Sequence, residues 1–201
     1  MRTKTDERRQ RILQVASEAF QELGYEKCSM SEVAARVGGS KATLYNYFAS
    51  KEELFVAVMH QSAETLQDVF GELLAGGDFH AVLATFARSY AGAILAEPII
   101  ATLRMAQHEG GRSGVGRVFY EAGPLLGTTV LATFLGQGMA QGALRQADAA
   151  VAARHLQVLL ESENMLKRML GAIDLPPAEV TGAAADRALA VFMAAYAPPG
   201  R

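Results

Sequence analysis

The chain has 201 residues, with 19 Lys plus Arg against 21 Asp plus Glu, a formal net charge of −2, and half of its residues apolar. That balance excludes wholesale disorder, and a single cysteine, Cys28, excludes both an internal disulfide framework and a cysteine-rich zinc site. No apolar run approaches the roughly 18 residues that span a bilayer, and no apolar stretch follows the basic start, so a cytoplasmic protein without a membrane partner is expected.

The near-neutral total hides an asymmetry. Residues 1–60 carry 9 basic and 8 acidic side chains, whereas residues 61–201 carry 10 and 13. Arg2, Lys4, Arg8, Arg9 and Arg11 crowd the start against Asp6 and Glu7. Such an arm suits either a polyanion partner or a solvated helix start, and charge alone leaves both open.

The period is helical from the beginning. Ile12, Val15, Ala16, Ala19, Phe20 and Leu23 form one stripe, and Gly24 supplies the stop. Ser29-Met30-Ser31-Glu32 reads as a capping box that opens a short helix burying Val33, Ala34 and Val37. Gly38-Gly39 breaks it, and a third helix is expected over 40–47 with Leu44 and Phe48 turned inward. Ser50-Lys51-Glu52-Glu53 is a second capping box, opening one helix of roughly 24 residues through Leu54, Phe55, Val58, Met59, Leu66, Val69, Phe70 and Leu73, closed by Gly76-Gly77. Later helices are expected at about 78–95, 98–109, 115–122, 124–141, 148–170 and 177–196, with Pro98, Pro124 and Pro177 in tolerated first-turn positions. No strand alternation or fixed-period repeat occurs, so the fold class is all-α: a three-helix helix-turn-helix domain over 1–53 and a helical bundle over 54–201.

The third helix carries the chemistry. Around inward Leu44 it presents Ser40, Lys41, Thr43, Tyr45, Asn46 and Tyr47. Lysine and tyrosine reach phosphates, and threonine and tyrosine meet base edges or a thymine methyl. Lys51, at the amino end of the next helix, adds charge beside exposed amides. The same face also suits a surface helix that happens to lack acids.

Residues 8–55, through the run "RILQVASEAFQELGYEKCSMSEVAARVGGSKATLYNYFASKEELF", resemble the DNA-binding domain of the TetR family of bacterial transcriptional regulators. Phe20 with Gly24-Tyr25, Val33-Ala34-Ala35, and Ser40-Lys41-x-Thr43-Leu44-Tyr45-x-Tyr47-Phe48 before Ser50-Lys51-Glu52 carry that resemblance. Two positions depart from it: Gly39 stands where a β-branched residue is more usual, and Cys28 where threonine or serine is common. The resemblance implies major-groove contacts from Lys41, Thr43 and Tyr45, backbone contacts from Ser29, Tyr47 and Lys51, and either role for Ser40. It also implies double-stranded DNA with a palindromic operator as partner, bound by a homodimer that a small-molecule effector releases.

Beyond the head, the last two helices are candidates for self-association. One carries Val151, Leu156, Leu159, Leu160, Met165, Leu166 and Met169, and the other Val180, Ala184, Ala188, Val191, Phe192, Ala195 and Tyr196; both stripes also suit an intrachain core. Two recognition helices in a two-fold dimer would lie about 34–36 Å apart, one DNA turn, or slightly more. Phe70, Phe86, Tyr90, Met105, Phe119, Tyr120, Phe134 and Met139 are candidate pocket walls, with Arg104, Gln107, His108 and Tyr120 as candidate polar members; the same residues equally make plain core. "FYEAGP" (Phe119–Pro124) and the Tyr196-Ala197-Pro198 tail resemble the AefR-like subgroup of that family.

Other chemistry finds little support. His60, His80, His108 and His155 are scattered, with no HExxH or CxxC pattern, so no metal or cofactor is expected. His108-Glu109 reads as a helix end. Gly110–Gly116 lacks the Lys-Ser/Thr of a phosphate loop and reads as a flexible connector. No catalytic set is expected, which leaves two alternatives to a regulator: a helical small-molecule-binding protein without DNA function, and a helical enzyme using a central cavity.

Overall fold

The computed structural model describes residues 4–110 and 114–198. Arg2 of the basic arm and residues 111–113 of the glycine-rich connector lie outside the described residues. Among the described residues the chain is α-helical throughout, in the order α1 (Lys4–Leu23), α2 (Met30–Val37), α3 (Lys41–Tyr45), α4 (Lys51–Ser62), α5 (Glu64–Glu72), α6 (Phe79–Ala93), α7 (Glu97–Gly110), α8 (Val115–Ala122), α9 (Pro124–Ala140), α10 (Ala149–Glu161), α11 (Met165–Met169) and α12 (Ala178–Tyr196).

Local signals decide most ends. Ser29, Ser40 and Ser50 each accept a hydrogen bond from the backbone amide three residues on, capping α2, α3 and α4. Gly24 and Gly38 both end helices in the left-handed region, with φ of 77° and 74°. After α2 the Gly38 amide donates to the Ala35 carbonyl and the Gly39 amide to that of Ala34, closing a Schellman turn.

Two expected helices are each broken in two. The run from Lys51 splits at Ala63, whose φ of −104° and ψ of 10° leave the helical region, while the Ser62 hydroxyl bonds back to the Val58 carbonyl. The run expected over 148–170 breaks after Glu161, where the Ser162 hydroxyl turns to the Leu159 carbonyl and Asn164 sits at φ −122°. α3 is also shorter than expected.

The expectation about apolar runs needs correction as well. Val115–Ala140, α8 followed by α9, spans 26 residues and contains an 18-residue window with a mean hydropathy of 1.3, long and apolar enough by length and composition to cross a membrane. Interspersed glycine and threonine disguise the run, which carries no charge from Ala122 to Leu144. In the fold α9 buries Thr128, Leu131, Leu135, Gly138 and Met139, packing chiefly on α10.

The chain divides into two compact units, residues 1–63 with 101–123, and residues 64–100 with 124–201. The first extends beyond the expected 1–53 head. Ile12, Leu13, Ala16, Phe20, Val33, Val37, Leu44 and Phe48 are joined in it by Leu54, Phe55, Val58 and Met59 of α4, and by Met105 and Val115. In the second unit α6, α9, α10 and α12 pack together. Phe70 and Phe79 seat against Gly127 and Gly138 of α9, where a Cβ would approach ring carbons to 2.7 and 2.2 Å.

Candidate nucleic-acid interface

The first unit holds a helix-turn-helix. α2 buries Met30, Val33, Ala34 and Val37, and α3 is anchored on it by Leu44 alone, which is 2% exposed. Every other side chain of α3 is wholly or partly open to solvent. Lys41 holds its ammonium 5.8 Å from the centre of the Tyr45 ring, and Tyr45 is 43% exposed. The hydroxyls of Ser40 and Thr43 lie 2.8 Å apart and share a hydrogen bond. Capping uses the oxygens of Ser29 and Ser40 as acceptors, and a hydroxyl in that position keeps a proton to donate. With Leu44 turned inward, Lys41, Thr43 and Tyr45 are left on the open side of α3, while Tyr47 is half-buried against the core.

Lys51 is placed differently from the other expected contacts. Its ammonium donates to the carbonyls of Tyr25 at 2.8 Å and Glu26 at 3.3 Å, and sits 4.2 Å above the Tyr25 ring. It ties the start of α4 to the loop that follows α1. Burial raises the Tyr25 phenol, with Glu52 beside it, and burial likewise raises the Cys28 thiol, so neither ionises at neutral pH. Phe55 meets both aromatic neighbours edge-on, with ring centres 5.7 Å from Phe20 and 5.0 Å from Tyr25.

The candidate effector-binding residues divide between the units. In the second unit Phe70, Phe86 and Tyr90 come together, with ring centres 5.4 to 5.8 Å apart. Phe134 stacks instead on Phe79, at 4.9 Å. In the first unit Met105 lies in the core and Phe119 packs against it. Arg104 is half-buried, while His108 and Tyr120 are exposed.

Sequence reading missed the polar groups that meet this aromatic cluster. The Tyr90 hydroxyl donates to Glu161 at 2.7 Å, and the Thr128 hydroxyl donates to Gln157 at 2.9 Å, with Thr128 and Gln157 both buried. Their signal was the helical spacing of Arg154, Gln157 and Glu161 within an otherwise apolar α10. Burial raises the Glu161 carboxyl above the ordinary carboxylate range, against the opposing effects of Tyr90 and Arg154. Burial, and then Glu161, also raise the Tyr90 phenol.

An acid with a raised folded-state pKa adds stability that is fully present below its unfolded value of about 4.3 and is lost as pH rises through the folded value. Glu161→Gln still accepts from Tyr90 and cannot ionise. Its thermal midpoint is expected to match that of the parent protein at pH near 4 and to exceed it above neutrality. Equal shifts at both pH values would show that Glu161 does not titrate with folding.

The geometry agrees with known proteins. Residues 12–58 match the family described as bacterial regulatory proteins, tetR family, and residues 81–198 match the AefR-like transcriptional repressor C-terminal domain. Among curated relatives, the HTH-type transcriptional activator FasR of Mycolicibacterium smegmatis is 46% identical over 61 residues, which are 30% of this chain and 28% of FasR. The repressor AcnR of Corynebacterium diphtheriae is 34% identical over 70 residues, 35% of this chain and 37% of AcnR, so the chain spans well under half the length of these relatives. Among solved structures, the flavonoid-responsive regulator FrrA is 32% identical, covering 96% of this chain and 99% of its own, with a TM-score of 0.79. A TetR-family regulator from Mesorhizobium loti is 26% identical over 98% of this chain and 100% of its own, at 0.78. A helix-turn-helix head with an open α3 face, and a helical second unit matched along most of its length, place this chain in the TetR family of transcriptional regulators.

Proposed function

We propose that the protein is a ligand-responsive repressor that binds a palindromic operator as a homodimer and leaves it when a small apolar or amphipathic effector enters the second unit. The observation that carries this reading is the open surface of α3: Lys41, Thr43 and Tyr45 are all accessible to solvent on a helix whose one buried side chain is Leu44. In this reading these three meet base edges, Ser29, Tyr47 and Lys51 meet the phosphate backbone, and Ser40 stands at the entry to the groove. DNA as the partner implies a cytoplasmic location, and no catalytic step is assigned.

Dimerisation is supported by α10 and α12, whose apolar residues divide into two sets. Leu156, Leu160, Ala184, Ala188, Phe192 and Tyr196 are buried within the chain, whereas Val151, Val158, Val180 and Val191 are about half exposed. The exposed set is the surface a second copy would cover. A Val158→Asp, Val191→Asp protein is expected to run as a helical monomer in sedimentation velocity, and an unchanged dimer would refute this interface.

The Phe70, Phe86 and Tyr90 cluster with Glu161, Gln157 and Thr128 supports the effector site, and its relative FrrA is described as flavonoid-responsive. A tenfold loss of operator affinity needs only about 1.4 kcal/mol of preferential effector binding to the released state. Selection of bound sequences from a randomised duplex library tests the whole reading. One enriched palindrome is expected; a folded, helical protein that enriches nothing refutes it.

A further inference from the structure

Two glycines stand at the turn before α3, and backbone conformation accounts for only one of them. Gly38, at φ 74°, occupies the left-handed region that glycine favours. Gly39 lies outside that region, so its backbone admits any residue. What matters at position 39 is the missing side chain. A Cβ there would lie 2.9 Å from Nη2 of Arg8, closer than real Cβ atoms come to a neighbour. The amino end of α1 thus lays the Arg8 guanidinium in space that any other residue at 39 would claim.

The next residue reaches the other end of the recognition helix. The guanidinium carbon of Arg9 lies 5.3 Å from the centre of the Phe48 ring, just past α3. On α2 the guanidinium of Arg36 is taken up by Glu22 and Glu32. Arg8 and Arg9 have no ion pair among the described residues. Guanidinium groups from one turn of α1 thus lie beside Gly39, just before α3, and beside the Phe48 ring, just after it.

We propose that Arg8 and Arg9 contact backbone phosphates of the duplex that α3 enters, and that Gly39 leaves open the space in which the Arg8 guanidinium lies before α3. The inference rests on the DNA-reading function proposed above. A guanidinium is suited to the task because its planar donors match two phosphate oxygens at once, and each phosphate neutralised releases condensed counterions.

The test uses the whole chain with two fluorescein-labelled duplexes, the selected palindrome and a mixed-sequence duplex of about 30 base pairs, titrated by anisotropy between about 50 and 200 mM potassium chloride. Arg8→Ala and Arg9→Ala are each expected to weaken binding several-fold on both duplexes alike, and to reduce the slope of log affinity against log salt by about two, one phosphate for each head of the dimer. Arg8→Lys keeps the slope. Gly39→Val is expected to lose part of what Arg8→Ala loses, and the smaller Gly39→Ala less, because the end of an arginine can swing aside; combining either with Arg8→Ala adds no further loss.

Unchanged slopes in both arginine variants overturn the phosphate assignment. Additive losses in the double variants overturn the role of Gly39. A helical parent protein that binds neither duplex overturns the DNA reading itself, whereas parent binding with unmoved variants overturns only the present inference.

Discussion

Phe55→Ala is expected to destabilise the first unit by about 3–5 kcal/mol, the range for deleting a fully buried aromatic ring. Its ring is wholly buried between Phe20 and Tyr25, and the three rings hold α4 against α1 and the loop that follows it. Truncation would leave a cavity, because the close-packed neighbours of the ring relax only partly around it. Urea unfolding followed by far-ultraviolet circular dichroism reads the effect as an early transition of the first unit, or as a lower single midpoint if both units unfold together. Phe55→Leu, which refills part of the space, should lose distinctly less. An unmoved midpoint in the alanine variant would show that the ring does not hold the head together.

The second large effect concerns recognition. Each good interaction with a base edge is worth roughly 1–3 kcal/mol, so each of the changes in a Lys41→Ala, Tyr45→Ala protein is expected to weaken binding to the selected palindrome by about 10- to 100-fold. In a dimer both heads carry the change, so the effect compounds. Affinity for a mixed-sequence duplex should fall much less, because interactions with the phosphate backbone supply most of it. The ratio of the two affinities is therefore the quantity to measure. If it survives both substitutions, α3 does not read sequence, and a helical binding protein without DNA function becomes the better description.

What the sequence made legible was local. The serine caps at 29 and 50 act within one helical turn, as do the glycine stops at 24 and 38, and each was readable from its neighbours. The outward face of α3 was readable for the same reason, since only Leu44 fits a buried stripe. What stayed hidden depends on distant partners. The break at Ala63 has no proline or glycine to announce it, and it falls where one compact unit gives way to the other. Lys51 read as a free charge at a helix start, yet its partners, the carbonyls of Tyr25 and Glu26, lie 26 and 25 residues away. Tyr90 looked like a pocket wall, and only the folded chain brings Glu161 to its hydroxyl.

The first unit is assembled from two separated stretches of chain, and this bears on how such regulators can be recombined. Met105 and Val115, both buried in the core of the head, arrive from beyond residue 100. A graft of residues 1–63 onto another regulator would leave those two side chains behind and ask foreign residues to fill their places. The exchangeable cassette is therefore residues 1–63 together with 101–123, and chimaeras built on the shorter segment should be rescued by carrying Met105 and Val115 across with it.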